Sequence, residues 1–281
     1  LGPSSLTTTI IMESKQIPTL PETVGVVGVG TIGKAVICGM MKANIFKKVI
    51  CSPRGKANVE YLIKRYPGRV EVAGSNQEIV DKCKFVALAV LPKQSLDVAS
   101  ALKWTREHML LTLVAMTKTE DLLKAAAPCD TIVRAVPLPC VAEHEGITIV
   151  SPKGLPFTNA VASMFDRMGG SVIAKDDAEC QVLQASTCLM GPFYAMQAAC
   201  NEWMVSKGID EKDGMKYLAG MFTGVAADAR AAVGEGRSFG DLVKEQTPGG
   251  LNEGCVKILR KGGVYGKYKE CLAYALGRLK G

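Results

Sequence analysis

Between residues 23 and 173 the chain alternates two rhythms. Short apolar runs rich in β-branched residues recur as TVGVVGV (23–29), KVICS (48–52), FVALAV (85–90), LLTLVA (110–115) and TIVRAV (131–136). Between them, in TIGKAVICGMMKAN (31–44) and ANVEYLIKRY (57–66), apolar residues return at helical spacing. Strands alternating with helices of about a dozen residues predict a parallel sheet covered on both faces. GITIV (146–150) and GGSVIA (169–174) predict further strands. From about Asp176 the strand rhythm stops. AECQVLQASTCLMGPFYAMQAACNEWMVSKG predicts one long helix ending at Gly208, kinked at Gly191-Pro192, and residues 213–235 predict another. Both carry small or apolar residues around much of their circumference, as helices buried on several sides do. The pattern therefore divides the chain into an α/β domain over 22–175 and an all-helical domain over 176–281, the latter expected to form a homodimer interface as well.

Composition narrows the class. A chain of 281 residues with 48% hydrophobic and 22% charged residues can bury a proper core. Its net charge of +7 comes from scattered Lys and Arg with no basic run interleaved with aromatics, which argues against a nucleic-acid footprint and leaves a mild bias toward small anions. The ten cysteines stand singly, without C-x-x-C or paired spacing, which implies reduced thiols and a cytoplasmic setting, with mitochondrial delivery left open. Two histidines, His108 and His144, make a histidine-based metal site improbable; His108 reads as a surface residue and His144 as a solvent-exposed loop residue or one beside a cofactor. No apolar run approaches the ~20 residues that span a bilayer. The opening LGPSSLTTTIIMESK lacks the basic start and apolar core of a signal peptide, and Met12 is the expected native start.

GVVGVGTIGKAV sets Gly28, Gly30 and Gly33 in G-x-G-x-x-G spacing, after an apolar strand and at the opening of an amphipathic helix. That is the context of a dinucleotide-binding loop in a Rossmann-type domain. The first glycine makes the turn, the second lets a pyrophosphate approach the backbone, and the third permits close helix–strand packing. The helix start, Thr31-Ile32, supplies free amides and partial positive charge. An empty structural turn is the alternative. At the end of the second strand, where an acid would grip a ribose 2′-hydroxyl, the chain has Cys51-Ser52-Pro53-Arg54-Gly55-Lys56. A hydroxyl and two cations suit a 2′-phosphate, so NADPH is the expected cofactor and NADH its alternative.

In the helical half, residues 176–206 contain no lysine or histidine to take a proton from an alcohol, which counts against a 3-hydroxyacid dehydrogenase. A protonated cyclic imine accepts hydride without an enzymatic acid, so the protein need only position the ring and hold any carboxylate. Tyr194 could serve as a proton donor but fits better as a core aromatic, and Cys188, Cys200, Met190 and Met196 as helix-packing residues.

From Val24 to the C-terminus the segments resemble, in order, those of the pyrroline-5-carboxylate reductases. GVGTIGKA fits the family's G-x-G-x-M-A loosely. Ala89-Val90-Leu91-Pro92 matches A-V-K-P, and the resemblance thereby adds Val90 and Pro92 to the cofactor residues. RAVPLPC keeps Arg134 and Pro137 of R-x-M-P-N-T-P but carries Leu138 and Pro139 in place of Asn-Thr. CLMGPF keeps only Gly191-Pro192 of S-G-S-G-P-A. The most specific segment, S-P-G-G-x-T, stands here as Thr247-Pro248-Gly249-Gly250-Leu251-Asn252.

What the resemblance implies is an NADPH-dependent reductase of 1-pyrroline-5-carboxylate, giving L-proline. It implies that Thr247, Gly249, Gly250 and Leu251 cradle the substrate carboxylate. Asn252 then replaces the family's threonine at the imine nitrogen, as the catalytic contact, unless it simply caps the following helix. It also implies a homodimer or higher homo-oligomer whose sites include residues of both subunits. A different cyclic imine, a 3-hydroxyacid dehydrogenase relative and a non-catalytic NADPH-binding redox sensor are the alternatives.

Overall fold

In a computed structural model, residues 19–280 are described; the Met12 start and the signal-peptide expectation lie outside them. The strands are β1 (Thr23–Val27), β2 (Lys48–Cys51), β3 (Val70–Val72), β4 (Phe85–Leu88), β5 (Met109–Thr112), β6 (Thr131–Val136), β7 (Thr148–Ser151) and β8 (Ser171–Ile173). The helices among them are α1 (Thr31–Lys42), α2 (Lys56–Arg65), α3 (Asn76–Lys82), α4 (Ser95–Ser100), α5 (Thr119–Ala125) and α6 (Pro156–Asp166). They are followed by α7 (Asp177–Ala185), α8 (Met190–Val205), α9 (Glu211–Gly234), α10 (Phe239–Lys244), α11 (Leu251–Lys261) and α12 (Val264–Lys280).

The strands form a single sheet in the order β3-β2-β1-β4-β5-β6-β7-β8, and the order reverses between β1 and β4. Successive residues feed opposite layers, because side chains alternate along a strand. In β4, Phe85 and Ala87 join one core layer with α1 and α6, while Val86 and Leu88 join the other beneath α3, α4 and α5. Phe85 is the hub of the first layer: its ring lies 5.7 Å from that of Phe46 and 5.3 Å, edge-on, from that of Phe157. The sheet is parallel, as expected, save for one pair. β7 runs antiparallel to β6, because the segment joining them holds only a short 3-10 turn at Pro139–Glu143 and no crossover helix.

Contacts divide the chain into two units, one ending at Gln184 and the other starting at Ala185, rather than at the change of pattern near Asp176. The reason lies in α7. Asp177 at its start accepts hydrogen bonds from the Thr119 amide (3.1 Å) and hydroxyl (2.9 Å), and Cys180 packs against Ile149 and Ala174. The second unit is all-helical. The long helix expected to end at Gly208 is broken rather than kinked: a 3-10 turn at Ser186–Leu189 separates α7 from α8, and Pro192 sits in the first turn of α8, where its missing amide proton would have no partner anyway. Asp210 caps α9 and a Ser238–Asp241 capping box starts α10. Among the described residues no helix is long and apolar enough to cross a membrane.

All five fully buried thiols, Cys38, Cys51, Cys83, Cys129 and Cys180, belong to the first unit. Loss of solvation pushes each of them up, Cys51 and Cys83 to about 11. Cys140 in the first unit and Cys255 in the second are exposed.

Candidate active site

At the C-terminal ends of β1 and β4, where the strand order reverses, the first unit opens a cleft of about 570 Å³. Ligands of open α/β sheets bind at such switch points. Gly28, Gly30, Thr31, Ile32, Ser52, Arg54, Val90 and Pro92 all line it. Gly33, the remaining expected cofactor residue, lies buried beneath it. The three glycines hold their places for different reasons. Gly28 has φ +99°, and a Cβ there would meet the Ala89 carbonyl oxygen at 2.6 Å. A Cβ on Gly33 would lie 2.3 Å from the Gly28 carbonyl oxygen, whereas one on Gly30 would meet nothing within 4 Å. Packing thus requires the first and third glycines, and the space beside the second is open toward a ligand. α1 starts at Gly30 with no side-chain cap and no acid in its first turn, so its first amides are free to receive an anion. These features fit the pyrophosphate of a dinucleotide.

Ser52 does something other than expected. Its hydroxyl accepts the Gly28 amide (2.9 Å) and donates to Asn76 Oδ1 (2.8 Å). With its proton committed, it braces the loop and has no hydrogen to give a 2′-phosphate. The same bond turns the Asn76 amide nitrogen away from Ser52, within a side chain that lines the cleft. Asn58 Nδ2 donates to the Val29 carbonyl (2.8 Å) and ties α2 to the glycine loop. Asn58 and Asn76 are contributors that sequence reasoning missed. Arg54 and Lys56 are exposed, with no carboxylate partner among the described residues.

In the second unit, Gly250 caps α11 without a side-chain cap bond. Asn252 is therefore the second residue of the helix and not its cap; its Nδ2 donates to Gln246 Oε1 (2.8 Å), which leaves its own Oδ1 as an acceptor. The expected cradle also needs revision. The Gly250 amide donates to the Thr247 carbonyl (2.9 Å), and the Gly249 amide to Glu253 Oε2 (2.7 Å), while Glu253 Oε1 pairs with Lys257 (2.8 Å). Both glycine amides are internally engaged. Leu251, 90% exposed, and Asn252 carry first-turn amides with no acceptor inside the helix. The Lys257 bond and the Gly249 amide hold the Glu253 carboxyl below the usual carboxylate range.

The family described as NADP oxidoreductase, coenzyme F420-dependent, matches residues 23–116. Pyrroline-5-carboxylate reductase 1 of Dictyostelium discoideum is 23% identical over 221 residues, which are 72% of this chain and 40% of that protein. The chain thus matches well under half the length of this curated relative. Among solved structures, the pyrroline-5-carboxylate reductase of Coxiella burnetii superposes with a TM-score of 0.78 at 18% identity, covering 92% of this chain and 97% of that one. The pyrroline carboxylate reductase of Plasmodium falciparum, solved with NADP bound, gives 0.75 at 18% identity over 92% and 97%. The chain resembles the pyrroline-5-carboxylate reductases.

Arg134, noted from the resemblance, and Tyr194, His108 and His144, noted from the sequence, fall elsewhere. Arg134 is 3% exposed and fully engaged. Its guanidinium donates to the Val114 and Thr117 carbonyls, to Thr119 Oγ1 (3.1 Å) and to Asp177 Oδ1 (3.3 Å), a structural clamp rather than a ligand contact. Tyr194 is 67% exposed and is no core aromatic. His108 is buried, contrary to its expected surface position: Nδ1 accepts the Thr105 amide (2.8 Å) and Nε2 bonds the Val80 carbonyl (3.0 Å). His144 is half-buried and bonds the Gly39 carbonyl (3.0 Å) through Nε2.

Proposed function

We propose that the protein uses NADPH to reduce the C=N bond of 1-pyrroline-5-carboxylate, giving L-proline. The observation that carries this is that bare helix starts fall at both loops of the resemblance: α1 at Gly30 and α11 at Gly250 each begin at a glycine with no side-chain cap. One suits a pyrophosphate and the other a carboxylate. The bound dinucleotide would supply hydride to the imine carbon. The chain's own residues would do the rest. The Leu251 and Asn252 amides hold the carboxylate, and Asn252 Oδ1, oriented by Gln246, accepts the N–H of the protonated ring nitrogen. An acceptor at this position favours the iminium over the free imine, which is the form that takes hydride. The similarity to the Dictyostelium reductase and the NADP in the Plasmodium structure support the same substrate and cofactor.

The reading extends to assembly: α8 and α9 join two copies of the chain. Tyr194, Trp203 and Tyr217 on these helices are each more than 60% exposed, a large apolar area for a protein surface.

The deciding experiment follows NADPH absorbance with 1-pyrroline-5-carboxylate, with NADH and the six-membered imine acid in parallel. Rapid oxidation with the five-membered ring is expected. Turnover of the larger ring alone would move the substrate, and binding of NADPH without turnover on either would replace the reductase by a sensor.

Two variants refine the picture. With Ser52 committed to Asn76, the 2′-phosphate preference falls to Arg54 and its neighbour Lys56. Arg54→Ser should therefore lower the NADPH-over-NADH ratio of kcat/KM by about tenfold, the worth of one charge-assisted bond at an exposed site. Glu253→Gln removes a resident negative charge from the substrate loop. It should lower KM for the carboxylate substrate severalfold with kcat unchanged; an unchanged KM would show that the Glu253 carboxylate does not compete there. Because its pKa is depressed, Glu253 stays ionised down through the ordinary glutamate range and releases the Gly249 amide only below it. Moderate acidification should therefore not reproduce the effect of the variant.

A further inference from the structure

The outer faces of α1 and α2 enclose a second cavity, of about 590 Å³, closed at one end by the Pro139–Glu143 turn. One wall is a stripe of α1 that includes Lys34, Cys38 and Lys42; the opposite wall is Tyr61, Arg65 and Tyr66 of α2 and its end. Its charges are unequal. Lys42 is neutralised by Glu143 at 2.9 Å. Lys34 Nζ instead stands 4.0 Å from the Tyr61 ring centroid, and the Arg65 guanidinium 5.2 Å from that of Tyr66. Among the described residues neither has a carboxylate partner. An aromatic face steadies a cation without cancelling its charge, so two positive groups, one from each helix, line one cavity. The Tyr66 hydroxyl donates to the Cys38 carbonyl (3.3 Å), which fixes the second ring in place.

From this arrangement we infer that the cavity between α1 and α2 binds a small organic phosphate, at a site separate from the dinucleotide cleft. A tetrahedral phosphate accepts hydrogen bonds from several directions, which suits an ammonium and a guanidinium drawn from two helices. The volume lies within the range of small-molecule sites. Thr31 and Asn58 line both cavities and form the partition between them.

The test is calorimetric titration with inorganic pyrophosphate, on protein saturated with NADP+ so that the cleft is filled. Wild type should bind it at submillimolar concentration. Arg65→Gln should weaken binding about fivefold and Lys34→Gln/Arg65→Gln at least tenfold, with circular dichroism unchanged. No heat with wild type at millimolar pyrophosphate would overturn the inference, as would equal binding by wild type and the single, exposed-site Arg65→Gln variant. Citrate binding as tightly as pyrophosphate would overturn the assignment to phosphate.

Discussion

Gly30→Ala should leave the protein folded and strip it of most of its dinucleotide affinity. Gly30 has φ −76°, a backbone conformation open to any residue, and a Cβ there meets no protein atom within 4 Å. The methyl group would project into the space the pyrophosphate needs, lengthening the charge-assisted bonds to the first amides of α1. Losing one to two of these is worth about 2–3 kcal/mol, or roughly 30- to 150-fold in Kd. Gly33→Ala, three residues on, should do the opposite. Its Cβ would stand 2.3 Å from a backbone oxygen that no side-chain motion can move. The strand and helix must separate, at an overpacking cost of about 1–3 kcal/mol. NADPH fluorescence titration with urea denaturation separates the two. Equal loss of stability in both variants would mean that the open space at Gly30 is not reserved for a ligand.

Arg134→Met should bring the largest loss of stability, about 2–4 kcal/mol, because it leaves two carbonyls beneath the surface without their donor, while Asp177, its side chain 37% exposed, turns to water. Methionine replaces most of the volume but none of the donors. The Val114 and Thr117 carbonyls lose a partner, and Asp177 loses the cation that helps tie α7 to β6. The Thr119 bonds to Asp177 remain, so the first turn of α7 should loosen before the sheet does. A fall in the urea midpoint with unchanged NADPH affinity is the expected signature. Loss of NADPH binding without loss of stability would instead make Arg134 a ligand contact.

Much of the first unit was legible because its signals are local. The window 131–136 coincides with β6, and the windows at 23, 48, 85 and 110 each contain or overlap a strand by most of its length. β3 was missed because VEV is three residues with a charge at its centre. The direction of β7 could have been read from the chain: the stretch after Val136 opens with two prolines and shows no helical period, too little for a parallel crossover. The glycine spacing located the cleft, since Gly28 and Gly33 answer constraints of the backbone and Gly30 leaves its space open. What escaped were side chains already committed to partners within the protein. Ser52 looks like a phosphate donor until Asn76, at the start of α3, accepts its hydrogen bond. Glu253 looks like an ordinary helix residue until the turn at Pro248 brings the Gly249 amide within 2.7 Å of it. His108 and Arg134 likewise owe their burial to partners far along the chain.

The distribution of sulfur has a practical outcome. Thiol reagents attack the thiolate, and burial keeps five thiols of the first unit protonated well above neutral pH. At pH 8 they can react only while the sheet is open, so their labelling rate counts openings of that unit alone. Cys140 and Cys255, at the surface, would be consumed at once and serve as internal standards, one on each unit. The unmodified protein thus carries its own gauge of local unfolding, ready to weigh Gly33→Ala and Arg134→Met without an added probe.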